Sequence, residues 1–227
     1  MEWYEHRHDH EPEEMLPRET EDMTVCQRLA MRLAGKLHVP YGHLAATLPA
    51  AETAAVKALF ASELGERSAL TGDEILVLAA GESHLPEVIF ELGGAAVLLR
   101  IPTEAPIVTA SSLEQKLSFS TRAVIVDHTA ACIENLLTVR NFCNKYDLWM
   151  LEIVGERQDV DYVIDGKKYR IGTVGDWSVF ALRDALRGGA LFTRDAFVSR
   201  LIANALDADN GQMTERVAEA LQREEAL

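Results

Sequence analysis

The residues of this chain whose types suit proton transfer or charge pairing gather at the ends of its apolar runs: Glu82, His84, His128, Glu152, Glu156, Arg183 and Asp184. His128 beside a carboxylate would suffice for general acid–base work, with Glu152 or Glu82 tuning it, because such catalysis needs a group that titrates near neutrality within hydrogen-bond reach. A plainer role competes with this one. A lone histidine at a strand end is more often a hydrogen-bonded structural residue, and charged loop residues are mostly solvated. A second set, His6, His8 and His10, alternates with Arg7 and Asp9 and offers imidazoles to a transition metal, although a solvated acidic arm is the commoner meaning of such a run. No nucleophile elbow, P-loop or GxGxxG is present, so nucleotide hydrolysis and dinucleotide binding have no support.

The elements that must position these residues follow from hydropathy. Arg122 to His128, Cys132 to Tyr146 and Leu148 to Glu152 spell strand, crossover helix, strand. The strand runs are short and unalternated, as for strands covered on both faces, and Ile133, Leu136, Leu137, Val139 and Cys143 recur at near-helical spacing between them. Upstream, the pattern predicts helices over Asp22–Lys36 and Pro49–Glu63 and a break at Val39–His43. It continues with a strand over Ile75–Ala80, a helix over His84–Leu92, a strand over Ala96–Ile101 and a short helix over Ser111–Ser118. Downstream, Asp165-Gly166 turns a hairpin over Tyr162–Ile171, and strands Trp177–Leu182 and Ala190–Thr193 precede a helix over Asp195–Leu206. The alternation predicts an α/β fold of three α/β/α layers with a mainly parallel sheet.

Composition bounds the function. A chain of 227 residues with 48% hydrophobic content can bury one core, expected over residues 23–206. Residues 1–22 carry nine acidic side chains against Arg7 and Arg18, half of the net charge of −14, and are expected to be a mobile arm in which Trp3, Tyr4, Met15 and Leu16 could contact a partner. Residues 207–227 are expected to form a linker and an amphipathic helix. The acidity disfavours nucleic acid and anionic membranes as partners. The three cysteines lack CxxC spacing, and no signal peptide or membrane-spanning run is visible, which predicts a cytoplasmic protein without a disulfide framework.

Several strings resemble the DegT-type PLP-dependent sugar aminotransferases, within them the nucleotide-hexulose 3-dehydrase branch: Leu64-Gly-Glu-Arg67, Gly72-Asp-Glu74, Ala79-Ala-Gly81, His128-Thr129, Lys145-Tyr-Asp-Leu-Trp149, Glu152, Tyr162, Asp165-Gly-Lys167, Gly172-Thr-Val-Gly-Asp176 and Gly188-Gly-Ala-Leu-Phe-Thr193. The resemblance spans roughly His38 to Leu201 and implies the large domain of a type I aminotransferase, with about seven strands. It also implies where a cofactor would be held, and this chain departs there. The phosphate-gripping Gly-Ser/Thr loop falls on Ala46 to Ala50, with Thr47 and Pro49, and Pro49 has no N–H to donate. The ring-stacking aromatic falls on Glu82, and the Asp that protonates the pyridine nitrogen falls on Ile153. The stretch that would carry the Schiff-base Lys, or the His replacing it, reads Ala181-Leu-Arg-Asp-Ala-Leu-Arg187, and Lys167 and Lys168 sit in the hairpin instead.

These departures, with a chain that stops near where the family's small domain would start, lead us to expect no cofactor and a pseudoenzyme. The expected role is self-association, or pairing with a full-length PLP-dependent relative as an accessory or regulatory subunit. The alternative is an enzyme or nucleotide-sugar-binding protein that uses the vacated pocket in sugar or antibiotic biosynthesis.

Overall fold

The computed structural model describes residues 23–61, 64, 68–157, 160–164, 167–182 and 188–206. Local chemistry sets the first elements. Thr24 opens α1 (Val25–Lys36) with a reciprocal cap: its hydroxyl accepts from the Gln27 N–H, and the Gln27 side chain accepts from the Thr24 N–H. Thr47 caps α2 (Leu48–Leu59), whose first turn contains Pro49. Between them lies β1 (Tyr41–Ala45). The stretch Val39 to His43, expected to be a break, therefore contributes most of a strand. Its pairing is decided by β9 (Gly189–Thr193), far along the chain, and Gly42 permits it, because a Cβ there would lie 2.6 Å from the Ala30 carbonyl of α1.

The chain continues through β2 (Glu74–Ala79), α3 (Leu85–Glu91), β3 (Ala95–Arg100), α4 (Ala110–Glu114), β4 (Thr121–Asp127), α5 (Leu136–Lys145) and β5 (Trp149–Gly155). The hairpin β6 (Asp161–Ile164) and β7 (Lys167–Arg170), then β8 (Trp177–Ala181), β9 (Gly189–Thr193) and α6 (Ala196–Leu206) complete it. Helix α5 starts four residues later than its apolar spacing suggests. Tertiary bonds take the backbone there: the Ile133 N–H goes to His128, the Glu134 N–H to Pro106, and Asn135 brackets the backbone of Val108.

Seven strands form one sheet in the order β1-β9-β8-β5-β4-β2-β3, in which β3, β2, β4, β5 and β8 pair in parallel and β9 runs against both its neighbours. Alternate strand residues sort onto two faces. Leu76, Leu78, Val124, Val126 and Met150 meet α1, α4 and α5, whereas Ile75, Val77, Ile125, Leu151 and Ile153 meet α2, α3 and α6. The result is the three-layer α/β/α fold that the pattern predicts, with each fully buried aliphatic side chain contributing about 1.5–3 kcal/mol relative to exposure. Three polar links pin the layers. Trp177 donates to the Ala55 carbonyl at 3.2 Å, His43 bonds Ser199 at 2.8 Å, and Arg140 pairs with Asp176 at 3.1 Å. The expected arm 1–22, the tail 207–227 and the stretch 183–187 lie outside the described residues.

Candidate functional site

Open α/β sheets hold ligands at the carboxyl ends of their parallel strands, where helix N-termini and loops converge. Here that edge is built from the chain after β2 (Gly81 to His84), after β4 (His128 to Ala130) and around the end of β5 (Gly155 to Arg157), together with the N-terminal turn of α2. The loops pack closely. A Cβ on Gly81 would lie 2.8 Å from the Ala130 Cβ, and one on Gly155, which has φ +60°, would lie 3.1 Å from a Thr129 methyl. Arg157 fastens the middle loop by donating to the carbonyls of Thr129 and Ala130, at 3.3 and 2.5 Å.

The structure brings His128 and Glu152 together, but below this surface. Both are wholly inaccessible, with His128 Nε2 and Glu152 Oε2 3.4 Å apart. His128 Nδ1 accepts the Ile133 N–H at 3.2 Å, which leaves the ring proton on Nε2, facing the carboxylate. Glu152 is further committed to the backbone. Its Oε1 accepts from Val174 and Gly175 N–H at 2.9 and 2.5 Å, and its Oε2 accepts from Gly172 N–H at 3.0 Å. Glu152 therefore clamps the loop that enters β8, with His128 packed beside it. Glu82 and Glu156 are exposed on the edge, and Ile153 is fully buried on the α2 face of β5. Arg183, Asp184, His6, His8 and His10 lie outside the described residues. Among the described residues no group of three or more His, Cys, Asp or Glu is placed to hold a metal ion.

A polar cluster that sequence reasoning overlooked occupies the edge itself. Glu52 of α2 is 1% exposed and bonds His84 Nε2 at 2.7 Å, while His84 is 51% exposed. Asp127, also buried, accepts from the Ser83 hydroxyl at 2.6 Å and from the Thr129 hydroxyl and N–H at 2.6 and 3.0 Å. Burial pushes the Glu52 carboxyl above its ordinary range; His84 pulls it back, and the Asp127 charge raises it further. A signal existed: Glu52, Val56 and Leu59 fall on one helical stripe, so the carboxylate was destined for the apolar face.

These residues do not fit PLP held in the way the resemblance implies. In the first turn of α2 the Ala50 N–H is spent on Thr47 Oγ1 and the Ala51 N–H on the Thr47 carbonyl, both at 3.1 Å, and Pro49 has none. Isoleucine at position 153 offers no charge to a pyridine nitrogen. Two buried carboxylates, Glu52 and Asp127, stand at the edge to which a phosphate dianion would have to come, and the guanidinium of Arg157 is engaged by carbonyls. Lys168 pairs with Asp161 at 2.6 Å on the hairpin.

An order of this kind, six strands in one direction with a reversed strand between β1 and β8, defines a type I aminotransferase-like α/β domain. The chain is similar to PLP-dependent sugar aminotransferases and dehydratases. It is 26% identical to the lipopolysaccharide biosynthesis protein RfbH of Salmonella typhimurium over 181 residues, covering 78% of this chain and 40% of that one. It is also 26% identical to GDP-perosamine synthase of Vibrio cholerae over 110 residues, 48% of this chain and 29% of that one. Among solved structures, E. coli GDP-4-keto-6-deoxy-D-mannose-3-dehydratase with bound hydrated PLP superposes with a TM-score of 0.67 at 18% identity, over 80% of this chain and 46% of that one. The chain thus spans less than half the length of these relatives. No protein-family model matches it. No helix among the described residues is long and apolar enough to cross a membrane.

Proposed function

We propose that this aminotransferase-like domain carries no PLP chemistry of its own and acts by association, with itself or with a full-length PLP-dependent sugar-modifying relative that it stabilises or regulates. The observation that carries the reading is the set of cofactor positions: a self-capped α2 turn, Glu82 where a ring would stack, and Ile153 sealed in the core. The burial of His128 weighs against acid–base catalysis by that residue, because a group with no exposed atom cannot reach a substrate proton without local opening. Exposed Leu70, Phe90 and Phe119, at 66%, 78% and 102% accessibility, are apolar side chains suited to an interface.

The test is co-expression with a full-length relative, followed by co-purification, light scattering and sugar-nucleotide turnover with and without this chain. The expected result is a complex, or a stable homo-oligomer, together with altered turnover or lifetime of the relative. A stoichiometric PLP adduct on one lysine of this chain, trapped by borohydride and located by mass, would overturn the proposal.

A further inference from the structure

We propose that Glu52 and His84 form an internal bridge that joins the two elements the family's cofactor would join, so that this edge of the domain is completed by its own side chains. The inference rests on the function proposed above. In the family resemblance the cofactor lies between the loop opening α2 and the residue after β2. In this chain a side chain from the first half of α2 reaches one from the corner after β2 directly, over 2.7 Å, and closes the same gap.

The physical case begins with Glu52. A carboxylate at 1% exposure pays a large desolvation penalty unless it is paired, and pairing by only one oxygen is the least it can accept. Its Oε2 meets His84, and its Oε1 has no hydrogen-bond partner among the described residues. Glu52 thus depends on His84 alone, and His84 in turn is held at the corner by the same bond. Among the described residues the charges that act on Glu52 are His84, from the corner after β2, and Asp127, from the end of β4. Asp127 is saturated by Ser83 and Thr129, so it does not compete for His84 and only adds negative potential. Ser83, between Glu82 and His84, links the bridge to that second carboxylate, so α2, the end of β2 and the end of β4 form one polar unit. A phosphorylated cofactor would have to break it.

A double-mutant cycle on thermal unfolding tests the bridge, using Glu52→Ala, His84→Ala and the pair, with Glu52→Leu and His84→Leu as a second cycle in case an alanine variant fails to fold. Each single alanine change is expected to lower the midpoint by about 2–4 °C, with the loss in the double variant well below the sum, because His84→Ala strands the buried Glu52 carboxyl. The ¹⁵N resonance of His84 Nε2 is expected to shift in Glu52→Gln. The wild-type midpoint is measured again with PLP and with inorganic phosphate and is expected not to move. Additive losses with an unchanged His84 resonance would overturn the bridge and leave the proposed function standing. A midpoint raised by PLP would overturn the proposed function, and failure to associate with any copy or relative would do so while leaving the bridge intact.

Discussion

Glu152→Gln is the sharpest probe of how this domain holds together, since the change is isosteric and removes only a charge and one acceptor. If the amide oxygen takes the place of Oε1, it keeps the N–H groups of Val174 and Gly175. The amide nitrogen then faces the Gly172 N–H, 3.0 Å from the present oxygen, and His128 Nε2, 3.4 Å from it. One buried donor, the Gly172 N–H, is left without its acceptor, whereas His128 Nε2 makes no hydrogen bond to the present carboxylate, so the expected loss is about 1–3 kcal/mol. Glu152→Ala breaks the buried pair outright and is expected to lose about 3–5 kcal/mol. Urea unfolding measures the totals. Hydrogen exchange at Gly172, Val174 and Gly175 localises them, with all three amides faster in alanine and Gly172 the most affected in glutamine. A glutamine variant within about 0.5 kcal/mol of wild type, with unchanged exchange at Gly172, would refute the clamp.

Glu52→Gln is expected to behave in the opposite sense. Burial holds this carboxyl above its ordinary 4.5, so its stabilising contribution is present below that pH and is lost as pH rises through the folded value. The amide still accepts from His84, and the difference in melting midpoint, variant minus wild type, is expected to grow more positive from pH 4 to neutrality; a flat difference would contradict it. Cys143 is fully buried and its thiol is pushed up to about 12 by that burial, so in native protein it is expected to resist Ellman's reagent while the partly exposed Cys26 and Cys132 react; three rapid equivalents would disprove this.

Most of the fold was legible because parallel strands covered on both faces announce themselves as short apolar runs, and helices as stripes. Ile75 to Ala79, Val124 to Asp127 and Leu148 to Glu152 needed no partner to be recognised. The local strings also carried the family resemblance, since Gly172 to Asp176 and Gly188 to Thr193 are turn and packing constraints written in consecutive residues. What the chain order could not contain were contacts made at a distance. Edge strand β1 exists only because β9, about 150 residues later, pairs with it. His128 and Glu152, plausible as catalysts while their burial was unknown, are committed by tertiary packing to the backbone of Ile133 and of Gly172 to Gly175. Conversely, Glu52 looks like a solvated helix glutamate until α2 is laid on the sheet and His84 arrives beside it. Hydropathy reports which residues leave water. Only the assembled sheet decides which polar groups they meet there, because those partners come from elements separated in sequence and joined by packing.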